Sequence, residues 1–188
     1  MRARHVVLCL GLSLGVLFPS PSRPDEVRWL SVGLRGGTTI GERPVIGGGE
    51  KRSFQQYDIV STLGLPWSLY TESGWGVTTQ AMGSVGALTG GGGTAFLATL
   101  VPGIAFGPRN SLFSVDIGAG AALLSRHEFG RHDMGGPFQF VLTLGVRVPI
   151  YKAIALGYRV HHMSDARLYG DDAKGVDTHM LELTYTFR

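Results

Sequence analysis

Hydrophobic and polar residues alternate along most of the chain, as they do in β-strands that have one apolar face. The clearest example runs from 138 to 150, where the even-numbered positions are all hydrophobic. The odd-numbered positions between them include Gln139, Thr143 and Arg147. Residues 112 to 124 repeat this period of two, so both segments are predicted to be strands with one apolar and one polar or small face.

The alternation predicts eight strands, at residues 27–35, 54–65, 75–88, 94–106, 112–125, 137–149, 152–164 and 178–188. Long connections are expected at 36–53, 126–136 and 165–177, whereas most of the others are short turns. Strands of about 9 to 14 residues suit a membrane barrel, because a tilted strand needs about 9 to 11 residues in the hydrocarbon. The predicted fold class is all-β, an eight-stranded antiparallel transmembrane β-barrel.

A soluble eight-stranded barrel of the lipocalin type alternates in the same way, so the character of the polar face decides between the two. In this chain that face is mostly Gly, Ser, Thr and Gln rather than Lys and Glu, which favours a narrow interior over a surface in water. Its few charges are balanced in sign and are expected to pair inside the lumen: Arg35, Asp58, Asp116, Arg147, Arg159 and Glu182. Eight strands are too few for a porin channel.

The N-terminus is predicted to be a secretory signal peptide, residues 1–22, followed by the barrel at 23–188. A basic start precedes an apolar stretch too short to span a membrane as a helix, and a turn-prone segment follows it. Removing this peptide takes away Arg2, Arg4 and Cys9 and lowers the formal net charge of +3 by two, to about +1. The exported chain is then nearly neutral and free of cysteine, which argues against a nucleic-acid partner.

The lipid-facing phase of the last hairpin, 152–188, carries an exceptional group of polar residues. On the seventh predicted strand, the positions that are apolar up to residue 160 continue with His162 and Ser164. On the eighth, the same face read backward from residue 181 reaches His179 and Asp177. Polar groups that face lipid are costly, by roughly a few kcal/mol at depth. An acid, a base and a hydroxyl on the outer wall therefore indicate a site whose substrate is a lipid.

These residue types suit ester hydrolysis by an activated serine. Ser164 is the candidate nucleophile, His162 the base on the same strand face, and Asp177 the acid that orients the imidazole. Backbone amides just past Ser164 are expected to stabilise the oxyanion. The residues assigned to the oxyanion site or its support are Asp165, Ala166 and Gly175. Three alternatives stay open: His179 as the base, and Asp171 or Asp172 as the acid.

The stretch 158–166, Tyr-Arg-Val-His-His-Met-Ser-Asp-Ala, followed by Gly-Val-Asp at 175–177, resembles the lipid A deacylase (PagL-type) outer-membrane family. Phe-Gln-Gln-Tyr at 54–57 and Leu-Pro-Trp at 65–67 are similar to the family as well. The resemblance implies hydrolysis of the ester-linked 3-hydroxyacyl chain at position 3 of lipid A. By motif, it implies a triad of His162, Ser164 and Asp177.

The chain departs from the family pattern beside the nucleophile and at the acid. The family usually has Asn after the serine, and here Asp165 replaces that amide donor by an acceptor. Its acid is often Glu, so Asp177 is shorter by one methylene.

The expected function is therefore that of a lipid A deacylase in the bacterial outer membrane, with the site toward the outer leaflet and lipid A and membrane lipid as partners. We expect no metal and no organic cofactor. The alternatives are a non-catalytic small barrel with a structural or adhesive role, and a lipid acyltransferase. A homodimer that hides the lipid-facing site is compatible with this arrangement, although no residue argues for it.

Two other segments contain residue types that bind ligands in other proteins. Residues 126–133 include histidines and acids, but they lack the helical spacing of a zinc protease and are interpreted as solvated loop charge. Arg126 and Arg131 in that loop are candidates for contact with lipid A phosphate. His161 points inward by its phase and is expected to be a hydrogen-bonding residue of the lumen.

Overall fold

The structure is a computed structural model that describes residues 26–39, 53–110, 112–171 and 173–187. The expected signal peptide lies outside these ranges, as does most of the predicted loop at 36–53. The described part of the chain contains ten strands: β1 Arg28–Thr38, β2 Phe54–Tyr70, β3 Trp75–Gly90, β4 Gly93–Pro108, β5 Ser114–Leu124, β6 Glu128–Phe129, β7 His132–Asp133, β8 Phe138–Tyr151, β9 Ile154–Ser164 and β10 Val176–Thr186. No helix long and apolar enough to cross a membrane occurs in these ranges.

Eight of the strands close into an antiparallel barrel in the order β1-β10-β9-β8-β5-β4-β3-β2. The last strand pairs with the first, which closes the sheet and leaves no edge exposed to lipid. This arrangement confirms the predicted fold class. Strands β6 and β7 form a separate two-stranded sheet within the segment 126–136, which the sequence predicted to be loop. Two residues are too few for a period of two to show in the sequence.

Most strand ends lie one or two residues from the predicted ones, and three of the differences bear on the fold. Strand β2 runs on to Tyr70 and contains a register shift between Gly64 and Ser68. Pro66 lies within this irregular stretch, so its missing N–H removes no hydrogen bond of the ladder. Strand β1 continues through two glycines to Thr38. Strand β10 begins at Val176, two residues earlier than predicted, so Asp177 belongs to the paired ladder.

The two ends of the barrel carry connections of different length. At the turn end the strands are joined by residues 71–74, 109–113 and 152–153. At the loop end the longer connections are 125–137 and 165–175, and the brief one is the two-residue hairpin of Gly91 and Gly92. Both of these glycines have positive φ, 55° and 84°, which a primed two-residue turn requires. The glycine run therefore forms a tight turn between β3 and β4.

Alternating side chains point to the outside and to the lumen, as the period of two predicted. Along β8, Leu144 is 51% exposed, whereas Gln139 and Thr143 are buried in the interior. Ile59 on β2 and Leu181 on β10 are more than half exposed on the outer wall. The barrel thus has an apolar outer surface that matches lipid rather than water.

The lumen holds paired charges, as predicted. Arg35 on β1 donates from Nε to Asp58 Oδ2 at 2.6 Å. Arg159 on β9 lies between two acids, with 2.7 Å from Nη1 to Asp116 Oδ1 and 3.4 Å from Nε to Glu182 Oε2. All five side chains are buried, so each charge relies on its partner.

Arg147 departs from that expectation. Among the described residues its guanidinium donates to Ser31 Oγ at 3.4 Å and to no acid, and it is only partly buried toward the turn end.

An apolar cluster lies at the loop end of the lumen, which the expectation of a small and polar interior did not include. Phe129 of β6 and Met134 after β7 are fully buried there. Phe129 packs edge-on against Phe54 at 5.3 Å between ring centroids. The cluster also contains Leu88, Leu97, Leu124, Met163 and Val176. The β6–β7 hairpin therefore plugs this end of the barrel and packs behind the start of β10.

Replacing Arg159 by Met tests the importance of the ionic lumen. The change leaves the carboxylates of Asp116 and Glu182 without their buried cation, so we expect a loss of about 3 to 5 kcal/mol in the free energy of unfolding. Urea unfolding in lipid vesicles measures it. Arg147→Met is the matched control and is expected to cost less than about 1 kcal/mol. Equal losses in the two variants would contradict the ionic pairing as a source of stability.

Candidate active site

The hairpin of β9 and β10 brings His162, Ser164 and Asp177 together. His162 lies directly opposite Asp177 in the antiparallel register. His162 Nδ1 lies 2.5 Å from Asp177 Oδ1, and His162 Nε2 lies 3.2 Å from Ser164 Oγ. The phase of the two strands predicted this proximity, because residues 162 and 164 share a face and 177 is the cross-strand neighbour of that face.

The hydrogen-bonding pattern fixes the tautomer of His162. A carboxylate only accepts, so the Nδ1–H of His162 donates to Asp177, and Nε2 is left to accept from the Ser164 hydroxyl. The side chains of His162 and Asp177 are only 13% and 7% exposed. A histidine held in this way can take the proton of a serine hydroxyl while the acid stabilises the resulting imidazolium.

The turn after Ser164 is organised by Asp165. Its carboxylate accepts the backbone N–H of Arg167 and of Tyr169, both at 3.1 Å, and its carbonyl accepts that of Leu168 at 2.9 Å. Ala166 and Arg167 have positive φ values of 50° and 67°, a strained conformation for residues with a side chain. Asp165 thus supports the turn as an acceptor and does not supply the side-chain donor that Asn has in the family pattern.

Gly175, the last residue before β10, lies against His162 and Ser164. A Cβ at this position would lie 3.0 Å from the Met163 carbonyl oxygen, 3.3 Å from His162 Cε1 and 3.4 Å from Ser164 Cβ. The absence of a side chain at 175 therefore lets the backbone approach His162 and Ser164 closely.

The alternative residues have other partners. His179 faces outward, but its Nδ1 lies 2.5 Å from the Tyr158 hydroxyl. Asp171 is on the surface, 3.6 Å from Arg167, while Asp172 lies outside the described residues. His161 is buried in the lumen, as its phase predicted. None of the described alternatives contacts Ser164.

The inner side of the same hairpin carries a hydrogen-bond network that sequence reasoning missed. Gln56 on β2 reaches His161 on β9 and Thr178 on β10, although β2 is not adjacent to either strand. The matching Phe-Gln-Gln-Tyr segment was the only sequence signal at this position, and it did not indicate a contact across the lumen.

The segment 126–133 places His127, Glu128 and Asp133 close together at the loop end, with their ligand atoms within 4.8 Å of one another. Glu128 and Asp133 are exposed. The amide of Gly135, followed by the His127 ring, lowers the pKa of Asp133 below its usual value. These contacts pair Asp133 with the His127 ring and with the Gly135 amide. In the same loop, Arg126 lies over Gly93.

The protein-family comparison matches residues 56–186 to the model described as lipid A 3-O-deacylase (PagL). The chain belongs to this family. Its barrel and its family together assign it to the bacterial outer membrane. No curated protein has a detectably similar sequence.

Two solved structures resemble the barrel. The crystal structure of the outer membrane enzyme PagL has a TM-score of 0.66 and 16% sequence identity, covering 83% of this chain and 99% of the other. The Yersinia pestis outer membrane protein Ail, in a phospholipid bilayer nanodisc, has a TM-score of 0.47 and 14% identity over 85% of this chain and all of its own. The similarity to the PagL crystal structure supports the eight-stranded fold.

Replacing Gly175 by Ala tests the packing of the site in this PagL-family chain. The added methyl group would lie 3.0 Å from the Met163 carbonyl oxygen and 3.3 Å from His162 Cε1, so the backbone or the ring has to shift by a few tenths of an ångström. Because small displacements of catalytic groups are costly, we expect labelling of Ser164 by a fluorophosphonate to slow by at least about tenfold. Gly83→Ala is the matched control, since its Cβ would meet only the Thr99 carbonyl oxygen, at 3.9 Å. An unchanged labelling rate in Gly175→Ala would show that the site tolerates a side chain there.

Proposed function

We propose that the protein removes the ester-linked 3-hydroxyacyl chain from position 3 of lipid A by a Ser164, His162 and Asp177 mechanism. The observation that carries the proposal is the continuous hydrogen-bonded line from Asp177 through His162 to Ser164 on the outer wall of the barrel. The family supports lipid A as the substrate. The position of the site supports a substrate that stays in the membrane.

In the first step, the Ser164 hydroxyl attacks the ester carbonyl carbon while His162 Nε2 takes its proton. The tetrahedral intermediate collapses to an acyl-serine, and the sugar oxygen at position 3 leaves with the proton that His162 returns. Water then attacks the acyl-serine with His162 again as the base. The products are a free 3-hydroxy fatty acid and lipid A with a hydroxyl at position 3.

The turn after Ser164 supports the oxyanion through backbone donors. The amides of Arg167, Leu168 and Tyr169 are already bonded to Asp165. Within the described part of the chain the Ala166 N–H makes no hydrogen bond. We therefore assign oxyanion stabilisation to the Ala166 amide, with the bonds to Asp165 keeping the turn in place.

The substrate reaches this site by lateral diffusion. His162 and Ser164 lie at the loop end of an apolar outer wall, above the lipid-facing residues Leu156 and Leu183. With the loop end outside the cell, the triad lies at the level of the outer leaflet and the acyl chains extend down that wall. No step of this mechanism requires a second copy of the chain.

An acyltransferase would use the same nucleophile and base and differ only in the acceptor of the acyl group. A non-catalytic barrel would keep the triplet as a remnant. Mass spectrometry of lipid A separates the three functions, because hydrolysis removes a chain, transfer adds one to another lipid, and a structural barrel changes nothing.

The deciding experiment expresses the protein in a bacterium whose lipid A carries a 3-hydroxyacyl chain at position 3. We expect the wild type to yield lipid A lacking that chain and Ser164→Ala to leave it intact. Ser61→Ala, which changes another serine in the outward phase, is the matched control and should behave as the wild type. Unmodified lipid A from a folded wild-type barrel would disprove deacylation.

Two histidine variants test which imidazole is the base. His162→Ala is expected to lower kcat by at least about 100-fold, since general-base catalysis contributes on the order of 10² to 10⁴. His179→Ala should retain most of the activity, because the His179 ring contacts Tyr158 rather than the serine. Purified protein in mixed micelles with lipid A gives both rates. Loss of activity in His179→Ala alone would transfer the role of base to that residue.

A further inference from the structure

We propose that Gln56 and Thr178 form a positioning device that holds the catalytic hairpin from inside the lumen. The inference rests on the proposed function for its kinetic consequence. Its physical basis is a set of hydrogen bonds that join β2 to β9 and β10, behind His162 and Asp177.

Gln56 is fully buried and uses both ends of its side-chain amide. Its Nε2 lies 2.8 Å from Asp58 Oδ2 and 3.4 Å from His161 Nδ1. Its Oε1 accepts the Thr178 hydroxyl at 3.2 Å. The carboxylate of Asp58 only accepts, so it orients the amide with nitrogen toward Asp58 and oxygen toward Thr178.

The anchor of this amide is itself fixed. Asp58 is held by the guanidinium of Arg35 at 2.6 Å, and Arg35 also donates to Ser84 Oγ at 2.8 Å. Gln56 is therefore attached to the ionic core of the barrel on one side. On the other side it contacts the two strands that carry the triad.

Strand β1 lies between β2 and β10, and its residue at this level is Gly37. Gly37 pairs with Gln56 on one side and with Met180 on the other. A Cβ at Gly37 would lie 2.2 Å from the His179 carbonyl oxygen. This position thus admits no side chain, which leaves the path from Gln56 to Thr178 open.

On each strand, the residue that Gln56 contacts is the direct neighbour of a triad residue. His161 precedes His162 on β9, and Thr178 follows Asp177 on β10. His161 and Thr178 are also cross-strand partners, and the Thr178 hydroxyl lies 3.4 Å from the His161 carbonyl oxygen. Because neighbouring residues of a strand share a peptide plane, fixing the inner pair fixes the outer pair of His162 and Asp177.

Thr178→Val and Thr178→Ser test this device. Valine keeps the shape of threonine but removes the hydroxyl that joins β10 to Gln56, whereas serine keeps the hydroxyl. We expect Thr178→Val to lower kcat on lipid A by about tenfold with KM unchanged, because alignment and not substrate binding is lost. Thr178→Ser should restore kcat to within about twofold of the wild type.

Gln80→Leu is the matched control, since Gln80 is a buried lumen glutamine on β3 whose register partners, Gly64 and Gly103, lie away from the hairpin. It should leave kcat unchanged while the barrel stays folded. A Thr178→Val enzyme with wild-type kcat would overturn the proposal, and so would a Thr178→Ser enzyme as slow as the valine variant.

Backbone hydrogen exchange separates failure of this inference from failure of the proposed function. Thr178→Val should speed exchange at residues 161–163 and 176–178, and Thr178→Ser should not, whether or not the wild type deacylates lipid A. Unchanged exchange in Thr178→Val would overturn the positioning role. Wild-type protein that is inactive on lipid A, yet shows the expected exchange pattern, would refute only the function.

Discussion

The structure depends on one constraint, which is that every strand residue of a narrow closed barrel faces either lipid or a filled lumen. Successive residues therefore have opposite surroundings while sharing a backbone. His161 and His162 illustrate this division, since the first is bonded inside the lumen and the second contacts Ser164 on the outer wall. The proposed chemistry lies on one face of β9 and β10, and the rigidity it requires comes from the other face.

The sequence predicted the features that depend on this alternation. The strand phase alone put His162, Ser164 and Asp177 on one face near the end of a hairpin, and the register of β9 and β10 pairs the first with the third. It also predicted the inward direction of His161. A period of two is a strong signal in such a barrel. A polar residue is unfavourable on the lipid side and a large residue does not fit the narrow lumen, so few positions break the alternation.

The features that the sequence did not predict are of two kinds. Some are contacts between strands that are not neighbours, and others lie in segments where hydrophobic and polar residues do not alternate. Gln56 reaches Thr178 across β1, and no pattern in the sequence indicates which lumen residues meet. The β6–β7 hairpin was not predicted because strands of two residues are too short to show an alternation. Its Phe129 is buried in a lumen that was expected to be polar. Arg147 was expected to pair, but its depth along the strand, near the open end, leaves it partly solvated.

Asp165 stands where the family pattern has Asn, and its carboxylate holds the turn after Ser164. An amide beside the nucleophile can donate to an oxyanion, whereas a carboxylate cannot, and its charge would oppose the developing negative charge. In this chain both carboxylate oxygens accept backbone N–H groups, from Arg167 and Tyr169, which offsets part of that charge. The same two bonds hold the positive-φ turn that contains the Ala166 amide. The acid thus contributes to the proposed oxyanion site through the backbone conformation that it stabilises.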